Sequence, residues 1–101
     1  MEDRIQQSQF KYNKEANQFE LHVGNHFAFI EYYIKENKVF LTHTEAPQDL
    51  KGTGAAAKLV EHVLQYCKDN SLKVVPLCPY VARYIDKNPQ WRIVLSEGYQ
   101  M

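Results

Sequence analysis

Leu50-Lys51-Gly52-Thr53-Gly54-Ala55-Ala56-Ala57 joins a run with strand alternation to a run with helical periodicity. Two glycines and three alanines strip this junction of bulky side chains. The first N–H groups of a helix have no partner inside it, and the helix dipole makes that end positive. A bare junction of this kind can seat an anion, so a phosphate-bearing ligand is the first expectation.

Downstream of the junction, the spacing predicts a helix over 52–70. Ala56, Leu59, Val60, Val63, Leu64 and Cys67 share one face. Lys58, Glu61, His62, Gln65, Lys68 and Asp69 share the other, so one side packs on a sheet. Asn70-Ser71 marks its end. Residues 72–77, Leu-Lys-Val-Val-Pro-Leu, read as a short buried strand. A strand–helix–strand unit is normally parallel and right-handed, which places this strand beside the one before the junction. Pro76 sits near the strand's end, where a missing donor matters least. Cys78-Pro79 opens a second helix over 79–88, since proline suits a first helical position. Asn88-Pro89 breaks it. Trp91, Ile93, Val94 and Leu95 then dock a tail, with Trp91 as its core anchor, and residues 96–101 read as loose.

Upstream, Val39 to Glu45 alternates as a strand that Pro47 terminates. By that alternation His43 and Glu45 share the face of Val39 and Leu41. Glu36-Asn37 is a turn. Phe27 to Ile34 is a strand with Ala28, Ile30, Tyr32 and Ile34 on one face. Gly24-Asn25 is a two-residue hairpin turn, since both residue types tolerate positive φ. Phe19, Leu21 and Val23 alternate with Glu20 and His22 in a half-buried strand. Residues 13–17 read as a turn, and Phe10 and Tyr12 as a weak first strand after a polar start. The class is α+β: a mainly antiparallel meander with one parallel pair joined by the junction helix. It forms one domain over residues 1–101, with its core at about 10–95.

Twelve Lys and Arg balance twelve Asp and Glu, so net charge is zero. This argues against a protein whose main task is gripping a nucleic-acid backbone. Two cysteines are too few for a disulfide framework. Met1-Glu2-Asp3-Arg4 has neither the basic nor the apolar region of a secretory leader. No apolar run approaches the roughly 18 residues of a membrane span. The expectation is a cytoplasmic protein with reduced thiols and neither nucleic-acid nor membrane partners. His22, His26 and His62 lack metal-ligand spacing and read as exposed positions, so no metal is expected.

Three phosphate-binding designs place glycines before a helix. A nucleotide P-loop needs Gly-x-x-x-x-Gly-Lys-Ser/Thr, and here Ala55 follows Gly54. A dinucleotide fold needs a third glycine where Ala57 stands, after the first strand of a parallel sheet. The third design is the pyrophosphate loop Arg/Gln-x-x-Gly-x-Gly/Ala, which Lys51-Gly52-Thr53-Gly54-Ala55-Ala56 matches with lysine in first place. In this the chain resembles the GNAT superfamily of acetyl-CoA-dependent N-acetyltransferases. It is most similar to a small single-domain subfamily with two further motifs. These are His-Thr-Glu-x-Pro before the loop, here His43 to Pro47, and Pro-x-Cys-Pro-Tyr/Phe-Val after it, here Pro76 to Val81. Tyr84 and Asn88-Pro89 also fit, and the resemblance covers about residues 10–91.

The resemblance implies a minimal GNAT-like fold and transfer of acetyl from acetyl-CoA to an amine. A protein lysine, a polyamine and a small molecule all remain open as acceptor. A non-catalytic module that binds CoA or acyl-CoA is the alternative. The resemblance implies that Gly52, Thr53, Gly54, Ala55 and Ala56 cradle the pyrophosphate and that Lys51 adds charge. It also implies a V-shaped gap between the parallel strands, where the pantetheine arm pairs with backbone near His43, Thr44 and Glu45, and places Tyr80 beside the cofactor.

Acetylation needs a neutral amine, a polarised carbonyl and a proton for the leaving thiolate. Cys78 precedes a helix start, which lowers a thiol pKa. The resemblance implies that it lies close to the acetyl group, as a transient acetyl acceptor, a proton donor to the CoA thiolate, or a small buried wall. Cys67 reads as core. His43 is a candidate base or a histidine satisfied within the sheet, and Glu45 reads as the strand's polar end. Tyr80 and Tyr84 share a helix face. By resemblance Tyr84 is the candidate general acid, with aromatic packing as its other role. Arg83 and Lys87 reach CoA phosphates or stay solvated, the latter being favoured. Direct transfer is the superfamily's usual route, and an acetyl-Cys78 intermediate is the second.

Overall fold

A computed structural model describes residues 8–96. Alternating residues and tight turns build one sheet in the order β1-β2-β3-β4-β5. The strands are β1 Gln9–Asn13, β2 Gln18–Val23, β3 His26–Lys35, β4 Lys38–Glu45 and β5 Lys73–Pro76. β1 to β4 pair antiparallel, and β4 with β5 pairs parallel. At the β3–β4 turn, Glu36 and Asn37 both take positive φ, 53° and 66°. That is the backbone twist a two-residue hairpin needs. The crossover between β4 and β5 is a 3-10 turn, Gln48–Leu50, followed by α1, Ala55–Asp69. After β5 come α2, Pro79–Lys87, and a 3-10 segment, Pro89–Val94. No helix among the described residues is long and apolar enough to cross a membrane.

One core holds the inner face of the sheet against the helices. Phe19, Leu21, Ala28, Ile30, Val39 and Leu41 are buried with Leu59, Val60, Val63, Leu64 and Cys67 of α1, and with Val81 and Ile85 of α2. α1 starts at Ala55, not at 52, because Gly52 and Gly54 hold a turn before it. Its first buried residue is therefore Ala55, while Ala56 is half-buried. His62, expected in solvent, stacks on Phe10 with ring centroids 5.1 Å apart. Phe19 is the centre of an aromatic cluster, with Tyr32 at 4.5 Å, Tyr12 at 5.0 Å and Tyr66 at 5.6 Å between centroids.

The tail docks differently from the expectation. Val94 is buried and Trp91 packs on the core from the edge, but Ile93 is 64% exposed. Leu95 extends the sheet as a parallel bridge to Val74, and the Ser96 N–H donates to the Val74 carbonyl at 2.9 Å. Ser96 is thus buried rather than loose. The rest of that expectation, residues 97–101, and the polar start, residues 1–7, lie outside the described residues.

Alternation breaks once, and the break matters. Glu31 pairs with His43 and Tyr32 with Leu41, so Thr42 is an extra residue on β4. Its hydroxyl donates to the Glu31 carbonyl at 3.2 Å. A bulge flips the faces beyond it. His43 and Glu45 therefore leave the inner face expected for them, and Thr44, opposite Ile30, takes it.

On the outer face, Glu20 is buried yet fully bonded. Its carboxylate accepts from Gln18 Nε2 at 2.6 Å and Asn13 Nδ2 at 2.9 Å, and meets His22 Nε2 at 2.6 Å. Burial alone would raise this carboxyl, but the bonds from Gln18, His22 and Asn13 outweigh it and hold it below its usual range. A depressed carboxylate contributes stability that is present above its unfolded pKa of about 4.3 and lost as pH falls through the folded value. Glu20→Gln should lower stability at pH 7 by about 1–3 kcal/mol. It should also flatten the loss of stability below about pH 4.3, as read by denaturant melts across pH.

Candidate active site

The sheet opens where β4 and β5 part. Their ladder runs from Lys38 opposite Lys73 to Leu41 opposite Pro76. The Lys73 N–H points to β4, donating to the Asn37 carbonyl at 2.9 Å. By alternation the Pro76 nitrogen points away from β4, so its missing proton costs the ladder nothing. The Leu77 N–H, next in line, instead turns back to the Val75 carbonyl at 3.0 Å. The Cys78 N–H takes the Leu41 carbonyl at 2.9 Å, and the chain enters α2. Beyond Leu41, β4 has no ladder partner on this edge among the described residues.

The glycine junction forms one wall of the resulting cleft. Gly52 and Gly54 adopt φ of 79° and 87°, a region where a Cβ is strained. Thr53 braces the turn: its hydroxyl donates to the Leu50 carbonyl at 2.6 Å and accepts the Ala55 N–H at 3.2 Å. Its own N–H also goes to the Leu50 carbonyl, at 3.2 Å. The N–H groups of Thr53 and Ala55 are thereby used within the loop. Those of Gly54, Ala56 and Ala57 meet no acceptor among the described residues. They border a cleft of about 310 Å³ whose lining includes Lys51, Gly52, Gly54, Ala55, Ala56 and Ala57. Its far wall is Thr44 and Ala46 from the end of β4, and Tyr80 from α2 closes the side.

Cys78 is not among the lining residues, but its Sγ lies 3.2 Å from the hydroxyl of Thr44, which lines the cleft. Burial alone would raise this thiol. The Thr44 hydroxyl and the backbone N–H groups of Val81, Tyr80 and Thr44 outweigh that and hold it below its ordinary value. Two of these donors belong to the first turn of α2, the position that favours a thiolate. Cys67 is the opposite case: buried in the core without such donors, it is pushed up to about 12.

The remaining candidates are dispersed. His43 sits on the outer face, 53% exposed, with its Nε2 3.6 Å from Glu45 Oε1. Its ring lies 6.3 Å from Phe29. Tyr80 lines the cleft, and burial raises its phenol. Tyr84, one turn on, does not line it. Burial, the Glu61 carboxylate and a bond to that carboxylate all raise its phenol, while a bond with Trp91 lowers it. Its hydroxyl is thus engaged away from Cys78. His22 bonds Glu20, and His26 Nε2 lies 2.8 Å from Asp49. No cluster of three His, Cys, Asp or Glu among the described residues could hold a metal.

A family model of GCN5-related N-acetyltransferases matches residues 18–94. The chain belongs to this family. NATD1 proteins are similar to it: that of Xenopus tropicalis is 32% identical over 57 residues, 56% of this chain and 52% of that one. The human protein is 33% identical over 57 residues, 56% of this chain and 50% of that one. The Danio rerio protein is 26% identical over 82 residues, 78% and 74% of the two chains. The chain spans about half the length of the first of these curated relatives. The solution structure of a GCN5-like protein of Staphylococcus aureus matches with a TM-score of 0.67, at 22% identity, over 98% of both chains. At that identity the likeness concerns the fold.

The chain has the α+β fold expected of it, with the parallel pair parting beside the glycine loop. Thr44, Lys51, Gly52, Gly54, Ala55, Ala56 and Tyr80 come together around one cleft. Thr53 faces inward as a brace, and Glu45 lies outside with His43. Ala46, Leu50 and Ala57 also line the cleft and were not anticipated. Ala57 continues the small-residue run, which was the available signal, whereas Ala46 and Leu50 carry none.

Two outcomes follow. Gly54→Ala should cost about 1–2 kcal/mol in a denaturant melt from backbone strain alone, since an added methyl meets nothing within 4 Å. Thiol alkylation of the folded protein should modify Cys78 and spare Cys67. The pH midpoint of the Cys78 reaction should lie below that of an ordinary free thiol and rise in Thr44→Val.

Proposed function

We propose that this chain transfers acetyl from acetyl-CoA to an amine by direct attack in a ternary complex. One observation carries the reading. The unpartnered N–H groups of Gly54, Ala56 and Ala57 border a cleft whose far wall is Thr44, beside Cys78. A diphosphate suits the first part, by hydrogen bonding and helix dipole together. Lys51 adds a cation there, without the fork of an arginine. The free edge of β4 at Thr44 and Glu45 offers backbone groups to the amides of the pantetheine arm, which carries the thioester toward Cys78.

In this scheme the amine nitrogen attacks the carbonyl carbon, the carbon–sulfur bond breaks, and CoA leaves as a thiolate. Tyr80, rather than Tyr84, gives the proton to that thiolate, because Tyr80 lines the cleft and burial keeps its phenol protonated. His43 takes the amine's proton directly or through water, entering from the outer face, with Glu45 beside it. A second route, through acetyl-Cys78, is favoured by one observation: four donors hold the Cys78 thiol down. In both routes the chain works as one domain in the cytoplasm, with a protein lysine, a polyamine or a small molecule as the acceptor.

Calorimetric titration with CoA, followed by acetyl-CoA turnover over a panel of amines, tests the proposal. Binding and turnover are expected in the wild type. Gly54→Val should weaken CoA by at least about tenfold, the equivalent of 1.4 kcal/mol. Tight CoA binding with no turnover on any amine would indicate a binding module instead. Cys78→Ala should retain turnover on the direct route. Label from acetyl-CoA on Cys78, with loss of turnover in Cys78→Ala, would establish the covalent one.

A further inference from the structure

The outer face of the sheet carries a row of aromatic rings, while α1 and α2 pack on the inner face. Phe27 lies 6.1 Å from Phe29 between ring centroids, and further along Tyr33 stacks on Phe40 at 4.6 Å. Phe27 is 38% exposed and Tyr33 49%. A contiguous row of rings left in water on a rigid sheet marks a contact surface, as a single exposed apolar side chain does not.

The register sets carboxylates around Phe29. Glu20 and Glu45 lie directly opposite it on β2 and β4, and Glu31 follows it two residues along β3. Glu20 is held by Gln18, Asn13 and His22. Glu31 and Glu45 are exposed. Of the lysines on this face, Lys35 and Lys38 lie opposite each other at the β3–β4 turn, beyond Tyr33 and Phe40. Lys11 is opposite Glu20 on β1, two strands from Phe29. The half of the face near the gap is therefore acidic and aromatic, although the chain as a whole carries no net charge. A ring face among carboxylates attracts an ammonium or a guanidinium.

Shape narrows the class of ligand. A small amine is normally taken into a concave pocket that covers most of its surface. Here β1 to β4 present a sheet surface about 14 Å wide, at roughly 4.8 Å per strand. Such a surface suits an extended chain. Two residues of that chain span about 7 Å, close to the 6.3 Å between the rings of His43 and Phe29. We propose that the acceptor is a lysine in a basic peptide segment of a partner protein, docked on this outer face. The lysine reaches His43, and a basic residue two positions away lies on Phe29 beside Glu31 and Glu45. This rests on the reading of the cleft as a CoA site, which supplies the thioester.

Two labelled peptides, titrated with the protein in excess CoA and read by fluorescence anisotropy at low salt, test the proposal. Each has one central lysine; one peptide carries arginines two positions to either side, the other glutamates. The wild type should bind the arginine peptide about tenfold tighter, with the gap closing as salt rises. Glu31→Lys, a change at an exposed side chain, should reverse the preference, which loss of the fold would not do. Phe29→Leu keeps apolar area but no ring face. It should weaken the arginine peptide about threefold and leave the glutamate peptide unchanged. Equal binding of both peptides, a preference that survives Glu31→Lys, or displacement of the arginine peptide by an equimolar amount of spermidine would overturn the peptide surface and leave the cleft reading intact. Calorimetry with CoA alone reads the cleft separately: no binding there would overturn the cleft reading, and the acceptor role of this face with it.

Discussion

The carbonyl of Leu41 accepts an N–H from Cys78, and the site depends on that one bond. A longer β5 would have filled this position with a strand residue and carried the ladder along the rest of β4. Instead the Leu77 N–H folds back on Val75, and the bond from Cys78 closes the sheet. The chain then enters α2. The same step therefore leaves the end of β4 with an open edge and points the first N–H groups of α2 at the Cys78 sulfur. Pro76 and Pro79 flank the step in positions where a missing N–H has no consequence.

The bulge at Thr42 is the second requirement, and it explains what could be read from the chain and what could not. The meander, the parallel crossover and both helices follow from local patterns: alternation in Phe19-Glu20-Leu21-His22-Val23, helical spacing from Leu59 to Cys67, and proline opening α2. The glycine loop was legible because only glycine tolerates the φ of Gly52 and Gly54 at low cost. The bulge was not. Thr42, His43 and Thr44 all suit a strand, and which of them is extra is decided by pairing with β3, a long-range match. Strict alternation therefore put the side chains of His43 and Glu45 on the inner face and that of Thr44, expected at the site only through its backbone, on the outer one. The bracing role of Thr53 was hidden for a related reason: its hydroxyl and N–H satisfy the loop's own backbone, which the motif does not reveal. The bond of Tyr84 to Glu61, a partner on another helix, is likewise something no helical spacing reveals.

The bulge also separates two tasks. The inner position at the gap, Thr44, lines the cleft that we propose holds the donor, with Cys78 beside it. Outer positions, His43 and Glu45, face the side of the sheet that no helix covers, where Phe29 lies beside them. A donor and an acceptor can thus approach from opposite faces and meet where β4 has lost its neighbour.

This arrangement couples the thiol to occupancy of the strand edge. Cys78 is held down in part by the backbone N–H of Thr44, a group a ligand would use in pairing with β4. A ligand that takes this donor lets the thiol rise, while the Thr44 hydroxyl and the N–H groups of Tyr80 and Val81 remain. On the reading we propose, docking of the arm would raise the proton affinity of Cys78. A sulfur that holds its proton more firmly beside the thioester competes less with an incoming amine. On the same proposed reading, the loss of that donor in the loaded state weakens the case for acetyl-Cys78 and favours direct transfer.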